Sequence, residues 1–138
     1  MKLFVGAKGI VYYKGKVLLV RESSQYLDGA ETGKWDMVGG RIESDEEVRD
    51  GLIREVKEES GLDVVPGKLV DVFDGFPIIR GEKCHVVRIY FFCEAHSEEV
   101  VLSEDHDAYD WVNPGNIGDK ELAGDIAEML EAFKIMTR

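Results

Sequence analysis

Val, Ile, Leu and Tyr dominate residues 3–13 and 16–21, and only Lys14 and Gly15 separate the two runs. Such residues suit a pleated, half-buried surface, and a two-residue break ending in glycine suits a tight reversal, so the pattern predicts a β-hairpin. Residues 23–34 are mostly polar and include Gly29 and Gly33, which predicts a loop long enough to cover a site. Residues 35–38 then lead into the pair Gly39–Gly40. Two more strands are predicted at 69–73 and 86–95, connected through 74–82; the second is almost continuously apolar and therefore belongs at the centre of a sheet. A short strand is predicted at 109–112. Leu122, Ile126, Leu130 and Phe133 fall at helical spacing, which predicts a helix over 121–133 packed on the sheet. Mixed strand pairing with helices on both faces makes the expected class α/β, an α/β/α sandwich with a mixed β-sheet between helices.

The segment 40–62, GRIESDEEVRDGLIREVKEESGL, adds another helix with an unusual stripe. It is expected to start near Asp45, with Ser44 or Asp45 as N-cap, and to end at Gly61, where glycine takes the left-handed cap conformation. An apolar stripe begins at Val48 and Leu52 and continues through Glu55 and Glu59, with Glu58 beside them. Three carboxylates are thus expected on the inward side of the last turns, where the helix dipole disfavours negative charge. Burying unpaired carboxylates costs roughly several kcal/mol each, so they must be protonated, paired or bound to cations. A hard divalent cation satisfies them together. An ordinary solvated face would put the acids opposite the apolar stripe.

Composition narrows the classes. At 138 residues the chain suits a single domain spanning 1–138. No Pro-, Gly- or Ser-rich linker, no repeat and no apolar run near the roughly 20 residues of a membrane helix interrupts it. The apolar part of MKLFVGAKG is too short for a signal peptide, so a soluble, cytoplasmic protein with no membrane partner is expected, as a monomer or homodimer. A net charge of −11 argues against a grip on extended nucleic acid but allows a small anionic ligand whose phosphates meet a divalent ion and local Arg or Lys. Cys84 and Cys93 lie in apolar sequence without zinc-site or redox spacing, which predicts buried, reduced thiols.

Gly40, five residues, Glu46, seven residues, then Arg54 and the run EVKEESGL to Leu62 resemble a complete Nudix box. The likeness extends more weakly through GKVLLVRES, the tryptophan before the double glycine and YDWV. Val38 stands where the family often has proline, and Asp45 where it often has glycine. Gly51 replaces a common alanine, at roughly 1 kcal/mol of helix propensity, and permits close packing.

The resemblance implies a MutT-like Nudix hydrolase that cleaves a pyrophosphate bond in a nucleoside diphosphate linked to another moiety. Its cofactor would be Mg²⁺ or Mn²⁺. Glu58 and Glu59 then match the main metal ligands, Glu55 a ligand or the general base, and the Gly39 carbonyl an additional oxygen. Arg54 matches the arginine that orients a glutamate, expected to be Glu46 across the helix–loop junction. Asp105, in LSEDHDAYDWV, matches an acid preceding histidine in members acting on nucleoside triphosphates or dinucleoside polyphosphates; an acidic surface loop is the competing reading.

His106 is read as an exposed loop histidine rather than a proton or phosphate donor. Arg21 is a candidate phosphate clamp or a surface cation, and Tyr26, Phe76 and Tyr109 are candidates to stack on a base or simply to pack. Pro77, fifteen residues beyond Leu62, resembles instead a proline of ADP-ribose hydrolysing members. The substrate expectation is therefore a (d)NTP or dinucleoside polyphosphate, with ADP-ribose or a nucleotide sugar as the alternative. A nucleotide-sensing module that has lost the chemistry is the alternative of another class.

Overall fold

A computed structural model describes residues 1–26 and 31–138, so Gly29 of the predicted loop lies outside the described residues. Strands β1 (Lys2–Tyr13) and β2 (Lys16–Glu22) form the expected hairpin. Lys14 and Gly15 take φ of 49° and 80°, the turn geometry that matches the twist of its strands. Trp35–Asp36 (β3) pairs with β2, and Gly39–Arg41 (β4) pairs antiparallel with Gly6, Ala7 and Lys8 of β1. Val64–Gly75 (β5), Ile78–Ile79 (β6) and Glu82–Ala95 (β7) follow the first helix, and His106–Val112 (β8) pairs with β2.

The sheet runs β3-β2-β1-β7-β5, and the parallel pairing of β1 with β7 within otherwise antiparallel neighbours makes it mixed. The apolar β7 is central, as expected. Strand β5 is longer than the predicted 69–73, and it takes in Pro66 and Gly67 through register shifts against β7.

Alternation along the strands sorts the core into two layers. Ala7, Val11, Leu18 and Val20 pack with Leu52 and Val56 of helix α1 (Val48–Ser60). Ile10, Val17, Leu19 and Phe92 pack with Met129, Leu130 and Phe133 of helix α2 (Ile126–Met136) on the other face. This is the predicted α/β/α sandwich. Cys84 and Cys93 are free and buried. Among the described residues, no helix is long and apolar enough to cross a membrane.

Both helices begin later than their sequence pattern suggests. Glu47, not Ser44 or Asp45, occupies the N-cap of α1, without a side-chain cap bond. The preceding residues close a turn of their own, in which the Glu43 N–H donates to Glu46 Oε1 at 2.9 Å and the Glu46 N–H to the Glu43 carbonyl at 3.3 Å. Its C-terminus is as expected: Gly61 has φ 74° and its N–H donates to the Lys57 carbonyl. Helix α2 starts at Ile126 because Leu122 is in an extended bridge with Trp35, whose N–H donates to the Glu121 carbonyl at 2.8 Å. The helical spacing of Leu122 was a coincidence of burial, since it packs on the same core layer from an extended segment.

Candidate active site

Arg54 leaves the middle of α1 and binds a ring of oxygens. Its Nη2 donates to Glu46 Oε1 at 2.6 Å and the Arg41 carbonyl at 3.1 Å, and its Nε to Glu46 Oε2 at 3.1 Å. Its Nη1 donates to Glu55 at 3.0 Å and Glu58 at 3.3 Å. The expected pairing with Glu46 is therefore a two-point fork, and it holds the Glu46 carboxyl down to about 2. The glycine at 51 makes this possible. A Cβ there would lie 2.8 Å from Glu46 Oε1 and 2.5 Å from Ile42 Cδ1, so close packing explains why alanine is absent.

The three box acids differ in environment. Glu59 sits at the inner end, where its Oε1 accepts the Gly39 N–H at 2.8 Å. Burial pushes its carboxyl up to about 8, against the pull of that N–H and of the nearby Lys8 ammonium. Glu55 is half-buried and also raised by burial, with Arg54 opposing the shift. Its carboxylate fills the space that a Cβ on Gly40 would take. Glu58 departs from the expected inward placement: its side chain is 57% exposed and its contact is Arg54. The inward stripe of α1 runs through Leu52, Val56 and Ser60, and one turn of helix rotates Glu58 past its edge.

Two adjacent cavities with a shared floor make up the cleft here. The first, about 180 Å³, is lined by Gly39, Gly40, Glu59, Tyr26 and His106. The second, about 290 Å³, is lined by Phe76, Pro77, Tyr90 and Asp125. Lys8, Asp36 and Arg88 line both. Tyr26 and Phe76 thus reach the cleft, and Phe76 is 56% exposed with its ring stacked on His85 at 4.7 Å. Arg21 and Tyr109 line neither cavity: Arg21 donates to Asp107 at 2.7 Å and lies over the Trp35 ring, while Tyr109 stands opposite Val20 on β8.

Asp105 lies close enough to raise the Glu59 carboxyl, and its carbonyl accepts the Ser23 N–H at 2.9 Å. His106 contradicts the reading of an exposed loop histidine. It opens β8, its Nδ1 is buried without a hydrogen-bond partner, and burial lowers its pKa to about 4, so the ring is neutral.

The sequence reading missed the floor of the cleft. Lys8 Nζ is 2.7 Å from Asp36 Oδ1; burial works against its charge, but Asp36 and its other neighbours outweigh that and raise its pKa. Arg88 Nε donates to Asp125 Oδ2 at 2.8 Å, and the Tyr90 hydroxyl reaches the same oxygen at 3.3 Å. The signal was present: Lys8 and Arg88 are charges set between apolar or small neighbours within their strands, each in step with a residue of the α2-facing layer, Ile10 and Tyr90. A charge at a core-facing register needs a buried partner or a ligand.

A family model described as the NUDIX domain matches residues 3–133. The chain belongs to the Nudix family. The CTP pyrophosphohydrolase of Escherichia coli K12 is 29% identical over 136 residues, covering 96% of this chain and 93% of that protein. The nucleoside triphosphatase NudI of Escherichia coli O139:H28 is 30% identical over 96 residues, or 64% of this chain and 68% of its own. Among solved structures, the MutT protein of Methanosarcina mazei Go1 superposes with a TM-score of 0.83 at 27% identity, covering 99% of this chain and 96% of that one. This Nudix protein is accordingly an enzyme, a hydrolase acting on acid anhydrides.

Nudix hydrolases generally use divalent metals, and the donor chemistry here fits such an ion. Glu59 is a partly buried carboxylate whose partner at bonding distance, among the described residues, is one backbone N–H. Glu55 and Asp105 add oxygen groups whose mutual repulsion is part of the elevated Glu59 pKa. Among the described residues, no three acidic, His or Cys side chains are drawn together into a finished cage, and Arg54 holds both Glu55 and Glu58. Hard oxygen donors with an excess of negative charge select a hard cation.

Proposed function

We propose that this Nudix enzyme is a Mg²⁺-dependent pyrophosphohydrolase of nucleoside triphosphates. The observation that carries the reading is the two-lobed cleft, in which Glu59 and Gly40 line one lobe and the exposed Phe76 ring lines the other. One lobe suits bridging phosphates and the other a nucleoside. The names of the two curated relatives, a CTP pyrophosphohydrolase and a nucleoside triphosphatase, support the same class.

Glu55, Glu58 and Glu59, with the Gly39 carbonyl and Asp105, would hold the Mg²⁺ or Mn²⁺. The ion supplies neutralisation of phosphate charge and a lowered pKa for the attacking water. Glu55 takes a proton from that water as its oxygen bonds to phosphorus, and the anhydride P–O bond opens with its electron pair leaving on the departing phosphate. Arg54 acts through others: it fixes Glu46, Glu55 and Glu58 in one array. Lys8 and Arg88 on the shared floor place positive charge under the bound phosphates and base.

ADP-ribose or a nucleotide sugar is the second reading, favoured by one observation: Pro77 lines the lobe beside Phe76. Nucleoside triphosphates, dinucleoside polyphosphates, ADP-ribose and sugar nucleotides should be compared with products resolved by chromatography. Triphosphates are expected to give a monophosphate and pyrophosphate with the highest kcat/KM; preference for ADP-ribose would overturn the triphosphate reading. Replacing Glu58 and Glu59 together by Gln is expected to lower kcat at least about 100-fold with the fold intact, since it removes charge stabilisation of the transition state. Full turnover in that variant would refute the assigned centre.

A further inference from the structure

A third cavity, about 240 Å³, lies at the start of β1 beside the turn between β6 and β7. It is walled by Lys2, Arg41, Arg80, Phe4, Ile79 and Glu82 among others, so cations outnumber acids there in a chain of net charge −11. Arg41 and Ile79 also line the lobe that contains Glu59 and Gly40, so the cavity shares a wall with the proposed reaction centre. Arg41 is the residue after Gly40 on β4, and its guanidinium lies 3.8 Å from the centroid of the Phe4 ring. That contact fixes the fork on the wall at a cation–π distance. Arg80 is held at the hairpin tip with φ 50°, followed by Gly81 at φ 80°. Lys2 meets Glu82 at 3.3 Å, but both side chains are about two-thirds exposed, so this pair offers little resistance to a competing anion.

We propose that this cavity receives the terminal phosphoryl group of the substrate, so that the enzyme selects triphosphates over diphosphates. The inference rests on the triphosphate reading and deepens it. The nucleoside lies in the lobe lined by Phe76, the scissile anhydride at Glu59 and Gly40, and the distal phosphate against Arg41, Arg80 and Lys2. Guanidinium groups bind phosphate through paired N–H donors, and a local cationic wall draws the anion into a molecule whose overall field repels it.

The test uses a Lys2→Ala, Arg80→Asn double variant. Asparagine tolerates the left-handed conformation at 80, so the turn and the melting midpoint are expected to be kept. In EDTA, where the acid lobe repels polyanions, calorimetry with inorganic tripolyphosphate should show binding to the native protein and at least about tenfold weaker binding to the variant, the loss expected of two charged hydrogen-bonding partners. Equal binding would overturn the proposal. With Mg²⁺, the ratio of kcat/KM for a nucleoside triphosphate to that for its diphosphate should fall at least about fivefold, which is about 1 kcal/mol. A loss that is equal for both substrates, or no loss, also overturns it. If the native enzyme hydrolyses neither nucleotide, the functional reading fails, and the tripolyphosphate measurement still decides the cavity.

Discussion

Arg54 shows how much one side chain can organise. A guanidinium presents several N–H groups in a fixed plane, and here they are divided among Glu46, Glu55, Glu58 and a backbone carbonyl. Arg54→Lys keeps the charge but not the fork, so kcat/KM is expected to fall about 10- to 100-fold, as for other residues that orient a reacting group. The Glu46 end of the array also sets an acid limb. Its carboxyl is lowered from 4.5 to about 2, so the stabilisation is complete above pH 4.5 and is lost as the pH falls toward 2. Thermal melts of Glu46→Gln should lack that limb; an identical limb would show that the fork contributes nothing to stability.

The Arg54–Glu46 pair was legible through the resemblance to the Nudix box, which holds both residues in one short segment. Glu58 was misplaced by the helical spacing, since steps of three and four residues say which acids neighbour one another but not which is rotated past the edge of the helix. Lys8 and Arg88 were not recognised because their partners, Asp36 and Asp125, are far along the chain. Only the sheet brings them together.

At the scale of elements, the paired glycines at the start of β4 do different things. Gly39 has φ 146°, and a Cβ there would collide with the Ala7 carbonyl and lie 2.6 Å from Lys8 Cα, so backbone would have to move. A Cβ on Gly40 meets instead the movable end of Glu55. Gly39→Ala is therefore expected to destabilise the protein by about 2 kcal/mol or more, in the range of strained or overpacked substitutions. Gly40→Ala should keep its melting midpoint within a few degrees, a stability change of under about 1 kcal/mol, and lose turnover. Denaturation melts alongside kinetics separate the two, and a stable, active Gly39→Ala variant would contradict the close approach of β4 to β1. The longer strands were legible from their β-branched and apolar residues, and so was the C-cap at Gly61, whereas the short strands β3, β4 and β6 were not. The starts of α1 and α2 were not, because a Glu46 side chain committed to Arg54 and a Leu122 bridged to Trp35 are decisions of tertiary structure.

For the whole molecule, the partly buried Glu59 makes stability depend on pH and on cations together. Its carboxyl is raised from 4.5 to about 8, so between those values the folded state holds a proton that the unfolded chain releases. Metal-free stability must then fall as the pH rises through that window. If Glu59 holds Mg²⁺ as proposed, binding to the ionised acid would reverse the loss, by ligand linkage to the folded state. Differential scanning calorimetry is expected to show Mg²⁺ raising the melting midpoint at pH 8 and much less at pH 5, with Glu59→Gln removing both the slope and the Mg²⁺ effect. A Mg²⁺ response of equal size in Glu59→Gln would place the ion elsewhere.

The parallel pairing of β1 with β7 also sets the order in which the protein can be made. Lys2 stands beside Cys84 and Tyr12 beside Glu94, so β1 leaves the ribosome well before the strand with which it pairs. Contacts across such a separation close slowly. Until then β1 has its hairpin with β2 and its short pairing with β4, and the floor on which Lys8 meets Asp36 is open on the side that β7 will cover. Assembly of the cleft thus waits on β7 and the closing of the sheet.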